Sequence, residues 1–392
     1  MKKFIKEPML EKKLKIGFVI DDGLDRLDGV QRYVITLGEY MKSLGHEVHY
    51  LCGQTTRSEY SYIHSLSKNF SVRFNGGNQL TIPLPTRKSK LKAKLDELDL
   101  DILHIQTPFN PFLGSKIVSL ASGKIPIVGT FHILPYGNIP KIGSFLLGLV
   151  QQKVLKQIDY FYSVSSPANK FAKRYFKIDS EIMPNPVDIS KYKPNSPRHN
   201  ATKTIKLIYI NRLIKRKGCH QLLKAINYGI THNMFNPDFT LDVCSDGYQR
   251  NMLEKYVSNN GLEKIVRFTG YISDKKKCEM LQNSQIAVFP SIGGESFGIV
   301  LIEAMAANVQ VVMAGDNPGY RSVLRDNSVL FNPFDTKRFA HKLAKFINNA
   351  ESRKLVNKSQ QKQVLQYDVK SVATKILNRY ILLQNQKNLS IL

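Results

Sequence analysis

The sequence is poor in cysteine: 392 residues hold four, Cys52, Cys219, Cys244 and Cys278, far apart and with no CxxC pair. That pattern excludes the common zinc motifs and a disulfide framework, so small buried thiols in a reducing compartment are expected. Long hydrophobic runs are also missing. The longest beyond the N-terminal region, Ile142 to Val150, is about half of the ~20 residues a membrane span needs. The apolar stretch Leu14 to Ile20 behind the basic segment Met1 to Lys15 is too short for a secretory signal and runs into acids. A cytoplasmic protein not integral to the membrane is therefore expected. There is no Gly-x-Gly-x-x-Gly, no Walker A motif and no His-Glu-x-x-His, which argues against a dinucleotide dehydrogenase, a P-loop nucleotidase and a zinc protease. No repeat or low-complexity tract is present.

Acidic residues are scarce: 57 Lys and Arg face 31 Asp and Glu, a net charge of +26. Residues 1–200 carry 29 − 17 = +12 and residues 201–392 carry 28 − 14 = +14, so the excess is no single tail. Such a surface attracts polyanions, whether nucleic acid, an anionic bilayer or phosphorylated substrates. A solubility device or a compositional habit of the genome would look the same. Without a helix-turn-helix, zinc-finger or RNP-type signature, a nucleic-acid-binding protein is only a remote alternative.

The hydrophobic pattern is that of alternating strands and helices. Leu14 to Ile20 (LKIGFVI) is an apolar run apart from Lys15, as a strand covered on both faces requires. A polar loop, Asp21 to Gly29, precedes Val30 to Leu44, whose apolar residues recur at helical spacing; Gly45 ends that helix, and Glu47 to Leu51 opens the next strand. Further strands are expected at 101–105, 126–130 and 160–164. Pro184, Pro186, Pro194 and Pro197 then break the pattern, which places a domain linker there. It restarts with strands at 205–210, 239–244, 266–268, 286–290, 309–314 and 328–331, and ends in a mostly helical stretch, 340–383. Two doubly wound α/β domains in tandem with a cleft between them are implied. A chain of 392 residues is also long for one core.

Three segments carry chemistry. Gly293-Gly294-Glu295-Ser296-Phe297-Gly298-Ile299 leads from a strand into a helix expected to begin near Phe297 or Gly298, and Glu303 lies further on, roughly two turns in. Free amides at a helix start, next to small residues, suit an anion. Glu295 and Glu303 would be about 12 Å apart along a helix axis. That spacing suits two parts of one long ligand, and is wide for acid–base work on one bond. A solvated Glu303 on an amphipathic helix is the plainer alternative. Asn211-Arg212-Leu213-Ile214-Lys215-Arg216-Lys217-Gly218 also joins a strand to a helix, and Arg212 and Lys217 can converge on a pyrophosphate. His132 follows the strand ending in Gly129-Thr130-Phe131, where a neutral imidazole can bond a sugar hydroxyl. Gly29, at the first helix start, allows close approach of a phosphate.

Over essentially the whole chain these residues resemble the family 4 retaining glycosyltransferases of GT-B fold: α/β, with two Rossmann-like doubly wound domains facing an inter-domain cleft. The Glu295 to Glu303 stretch, NRLIKRKG (211–218), GTFH (129–132) and Asn185-Pro186-Val187-Asp188 carry the likeness. Within the family, Gly29-Val30-Gln31, Thr130-Phe131-His132 and Gly293 to Gly298 look closest to bacterial phosphatidylinositol mannosyltransferases and related lipid glycosyltransferases. The resemblance implies an acceptor-side domain at 1–188, a nucleotide-sugar domain at 189–366 and a helix, 367–392, packing back on the first. It implies transfer of a hexose from a GDP- or UDP-sugar to a membrane lipid or lipid-linked acceptor; a soluble or polysaccharide acceptor is the alternative.

As site residues the resemblance implies His132 against the transferred sugar, and Arg212 and Lys217 on the donor diphosphate with Arg216 beside them. Glu295, Ser296 and the amides of Phe297, Gly298 and Ile299 would hold sugar and phosphate, and Glu303 the ribose. Gly247 and Ile272 would line the base pocket, and Gly29 would lie at the phosphates. No metal or other cofactor is implied. Asp28, Asn211, Tyr248 and Asn308 depart from the family, standing where glycine, glycine, proline and glycine are usual.

Arg87-Lys88-Ser89-Lys90-Leu91-Lys92-Ala93-Lys94-Leu95 holds five bases and no acid, with Leu91, Leu95 and Leu98 on one helical face. A basic amphipathic helix of this kind can lie on an anionic membrane, and related lipid glycosyltransferases have one in about this place. Arg87, Lys88, Lys90, Lys92 and Lys94 are thus the expected membrane contacts of a peripheral protein at the inner face of the cell membrane.

Overall fold

The computed structural model describes residues 12–25, 28–57, 60–73, 79–135, 137, 139–193, 204–236 and 238–391. Pro194 and Pro197 of the expected linker lie outside the described residues. The described residues form two compact units, one made of those up to Pro186 together with those from Val369 on, the other of those from Val187 to Asp368.

In the first unit the strands are β1 (Lys15–Ile20), β2 (Glu47–Cys52), β3 (Ile63–Ser65), β4 (Asn69–Arg73), β5 (Gln79–Pro83), β6 (Ile102–Gln106), β7 (Ile127–Phe131), β8 (Tyr160–Ser163) and β9 (Glu181–Ile182). Seven form one parallel sheet in the order β3-β2-β1-β6-β7-β8-β9, while β4 and β5 make a separate antiparallel hairpin. The apolar run Ile16 to Ile20 of β1 has its reason here. Ile16, Phe18 and Ile20 face one core, and Val19 faces the other. The first core is closed by the last helix, Val369–Ile391, through Val372, Ile376, Leu377 and Tyr380, packed beside the helix Gly29–Ser43. Strands β3, β4, β5 and β9 are too short or too polar for a periodicity argument, and they were not legible in the sequence.

The second unit holds β10 (Ile205–Ile210), β11 (Phe239–Cys244), β12 (Val266–Gly270), β13 (Ile286–Phe289), β14 (Val311–Gly315) and β15 (Leu330–Phe331), all parallel, in the order β12-β11-β10-β13-β14-β15. This is the doubly wound order, in which the strand sequence reverses between the first strand and the fourth and a crevice opens at their carboxyl ends. The reversal here lies between β10 and β13. The two loops leaving those strands are 211–218 and 290–298, the segments singled out by sequence. In the first unit the reversal lies between β1 and β6.

Some expected boundaries move. The strand placed at 328–331 is shorter, because Asn327–Val329 forms a 3₁₀ turn capped by Asp326. Before the helix Cys219–Thr231, Lys215–Lys217 likewise makes a 3₁₀ turn. All four cysteines are free; three are buried and Cys278 is half-buried.

Candidate active site

In the second unit the loops after β10 and β13 are fastened together. Arg216 Nη1 lies 2.7 Å from Glu295 Oε1 and also donates to the carbonyls of Gly293 and Gly294. Lys217 Nζ donates to the same Glu295 oxygen at 2.7 Å, and the Ile292 N–H donates to the Arg216 carbonyl. Glu295 and Lys217 are each 9% exposed. Burial pushes the Glu295 carboxyl up, but Lys217 and Arg216 together outweigh it and hold the group below the usual carboxylate range. Burial lowers the Lys217 ammonium; Glu295 opposes this, while Arg216 and Arg212 add to it.

Glycine is required where these loops touch. Gly218 has φ +73°, and a Cβ there would sit 2.0 Å from the Pro290 carbonyl oxygen. Gly298 has φ +114°, and a Cβ would press on the Tyr320 ring at 2.7 Å. Asn308, where the family usually has glycine, takes φ +57°, the left-handed cap that asparagine tolerates best after glycine.

The helix begins at Ile299 with Gly298 as its N-cap. Glu303 therefore sits only one turn inside it, not two, and it is not solvated. It is 4% exposed, and its Oε1 accepts from Lys277 Nζ at 2.7 Å and from the Tyr192 hydroxyl at 2.8 Å. Sequence reasoning missed Lys277 and Tyr192. Lys277 lies in the run Lys275-Lys276-Lys277, and nothing local marks which lysine turns inward. Ser291, Asn317 and Tyr320 were also missed. Asn317 Nδ2 donates to the Ser291 carbonyl, and the Ser291 and Tyr320 hydroxyls are 3.1 Å apart beneath the loop. Of the remaining expected donor residues, Phe297 is buried, and Arg212, Gly247, Ile272, Ser296 and Ile299 are half-buried. Gly247 lies against Leu213, whose carbonyl oxygen a Cβ would meet at 2.4 Å.

In the first unit His132 follows β7. Its Nε2 is 2.7 Å from Gln106 Oε1, and its ring meets Tyr33 edge-on at 4.8 Å. Gln106 Nε2 donates to the His104 carbonyl, which fixes the amide orientation. Since Oε1 only accepts, Nε2 of His132 carries the proton and Nδ1 is the acceptor. Burial pulls this imidazole down to about 3, so it is neutral at physiological pH. His104 bridges the Tyr380 hydroxyl and Thr130 and is likewise pulled down to about 3 by burial, with His132 adding to it. Asp21, just past β1, was unmarked by sequence reasoning. It accepts from the Gly114 N–H at 2.8 Å, its Oδ2 is buried with no hydrogen-bond partner among the described residues, and burial pushes it up to about 6. Gly29 is the exposed first residue of its helix, and Asp28, the N-cap, makes no side-chain cap.

The basic segment forms the helix Lys88–Leu98, with Arg87 as N-cap. Lys88, Lys90 and Lys92 are exposed, as is Arg87, while Lys94 pairs with Glu97. The leucine face is turned away from solvent. Leu91 and Leu98 are buried in the second core of the unit, and Leu95 packs against it. No helix among the described residues is long and apolar enough to cross a membrane.

Two parallel doubly wound units, with an Arg–Lys–Glu group where the strand order reverses in the second, are the fold of a GT-B glycosyltransferase. Residues 27–191 match the family model described as Glycosyltransferase Family 4, and residues 193–363 that described as Glycosyl transferases group 1. The chain belongs to the glycosyltransferases, with a family 4 domain followed by a group 1 domain. It is 28% identical over 377 residues to a phosphatidyl-myo-inositol mannosyltransferase of Mycobacterium leprae (strain TN), covering 94% of this chain and 96% of that one. Among solved structures it is similar to a glycosyltransferase from Rickettsia africae ESF-5, with a TM-score of 0.74, 17% identity and coverage of 95% and 98%. It is also similar to Anabaena Alr3699/HepE in complex with UDP, with a TM-score of 0.73, 16% identity and coverage of 93% and 99%.

Proposed function

We propose that this glycosyltransferase takes a hexose from a GDP- or UDP-sugar and transfers it, with retention of anomeric configuration, to a membrane lipid or lipid-linked acceptor. The observation that carries the reading is the Arg216–Lys217–Glu295 group at the carboxyl ends of β10 and β13. A preorganised cluster of buried and half-buried cations can stabilise charge that develops on a departing diphosphate. In this reading Lys217 and Arg212 hold the diphosphate with Arg216 beside them. Glu295 and the amides of Phe297, Gly298 and Ile299 hold sugar and phosphate, and Ser296 lies beside them. Glu303, oriented by Lys277 and Tyr192, takes the ribose hydroxyls; Gly247 and Ile272 flank the base. The Nδ1 lone pair of His132 accepts from a hydroxyl of the transferred sugar, and Gly29 lies at the phosphates. The cations of loop 211–218 supply the positive charge, so the reading assigns no metal or other cofactor to the transfer.

The relatives named phosphatidyl-myo-inositol mannosyltransferases favour mannose and an inositol phospholipid. The basic helix Lys88–Leu98 would hold the protein to the inner face of the cell membrane, within reach of such an acceptor. A thermal-shift screen with UDP, GDP and their sugars tests the donor half, and stabilisation by one nucleotide class is expected. No response to any of them would refute the donor assignment. Transfer of labelled sugar into lipid extract, compared with oligosaccharide acceptors, tests the acceptor half. Label found only in oligosaccharide would select the soluble-acceptor alternative.

A further inference from the structure

The leucines of Lys88–Leu98 are spent on the protein core, so that helix offers a membrane charge but no apolar side chain to insert. A neighbouring helix has the opposite build. Ile139–Leu155 holds Gly148, Gln151 and Leu155 on its buried side. A Cβ at Gly148 would lie 2.3 Å from the Tyr175 carbonyl oxygen, and Gln151 faces the Ser115 hydroxyl at 3.3 Å. Its outer side carries Phe145, Leu146, Leu149 and Val150, exposed by 45%, 58%, 58% and 74%. These positions, i, i+1, i+4 and i+5, form one stripe, and the exposed Lys153 follows a turn later. A helix facing water puts its bulky apolar residues inward; this one sends Leu147, Val154 and Leu155 to the core and still carries four bulky apolar residues on its outer side.

Two further observations say what covers the stripe. Both helices pack against Leu113–Ala121 and contribute to the same core, so the exposed lysines and the exposed apolar stripe belong to one layer of the unit. In addition, the 57 residues from Ile102 to Ile158 contain no Asp or Glu and five Lys. An apolar stripe borne by an acid-free, lysine-bearing stretch of chain complements anionic headgroups above acyl chains.

We propose that Phe145, Leu146, Leu149 and Val150 insert into an anionic bilayer, as the apolar partner of the basic helix Lys88–Leu98. This rests on the lipid-acceptor reading above and adds to it the element that enters the membrane. In co-sedimentation with phosphatidylglycerol–phosphatidylcholine vesicles, Leu146→Ser/Leu149→Ser/Val150→Ser is expected to bind about tenfold more weakly or less. Its melting temperature and its thermal response to the donor nucleotide are expected to stay as in the wild type. An environment-sensitive dye at Leu149→Cys, on a Cys278→Ser background, should shift to the blue on vesicles. If the serine variant binds vesicles as the wild type does, the insertion proposal is overturned while the membrane reading stands. Failure of the wild type to bind any vesicle would overturn both. A wild-type dimer in solution that the serine variant converts to monomer would also overturn the proposal, because a second copy would then cover the stripe.

Discussion

Replacing Glu295 by glutamine keeps the shape of the side chain and removes the one acid that both Arg216 and Lys217 contact. Each contact is 2.7 Å, and at an effective dielectric of 20 a pair at that distance attracts by about 6 kcal/mol, before the opposing cost of desolvation. Removing one member of such a buried group leaves uncompensated charge and costs about 3–5 kcal/mol. Glu295→Gln is therefore expected to be less stable than the wild type by about 3 kcal/mol at neutral pH. Because the folded carboxyl titrates below its ordinary value of 4.5, its contribution is full above that value. It is lost as pH falls through the lower folded value, so the gap between variant and wild type should close in acid. A diphosphate offers the stranded cations a new counter-charge. UDP or GDP, whichever binds, should thus raise the melting temperature of the variant more than that of the wild type. Transfer should nevertheless fall by about 10²-fold or more, as when a preorganised charge contact is lost. Denaturant titrations across pH, thermal shift and labelled-sugar transfer read these three effects. A variant as stable as the wild type at neutral pH, with the same nucleotide response and normal turnover, would refute the reasoning.

Lys217→Ala leaves Glu295 paired with Arg216, so circular dichroism should report an intact fold while transfer falls by about 10²–10³-fold; near-normal turnover would remove Lys217 from the donor site. Asp21 is raised from 3.8 to about 6 by burial, so its ionisation costs about 3 kcal/mol of folding stability above that pH. The penalty appears as pH rises from about 4 to 6. Asp21→Asn should be more stable than the wild type at pH 8 and lose that advantage near pH 4, as denaturant midpoints would show; a difference independent of pH would contradict the account. Gly218→Ala must place a methyl 2.0 Å from the Pro290 carbonyl oxygen at a φ of +73°. The left-handed conformation alone costs about 1–3 kcal/mol, and displacement of loop 211–218 should abolish the nucleotide-induced thermal shift. A wild-type shift would show that the loop is not set by that contact.

The strands that frame the site were legible because a parallel sheet covered on both faces demands nearly continuous apolar runs, as in LKIGFVI and IKLIYI, each interrupted by a single lysine. The loops after β10 and β13 were legible because glycine, basic residues and acids interrupt that pattern at the carboxyl ends of strands. The partners inside the site were another matter. Glu295 meets Arg216 and Lys217 from 79 and 78 positions away, and Glu303 meets Tyr192 from 111. No local signal separates Lys277 from the two lysines before it. Only the winding of the second unit brings such residues together, and only burial decides that Glu303 is a paired acid rather than a solvated one.

The two surface helices show the same division. Periodicity in the sequence revealed that Leu91, Leu95 and Leu98 share a face, and that Ile142 to Val150 is apolar. It did not reveal that the first face is covered and part of the second is bare. Period follows from local backbone geometry, whereas which side meets water follows from what the neighbouring helices and sheet leave uncovered.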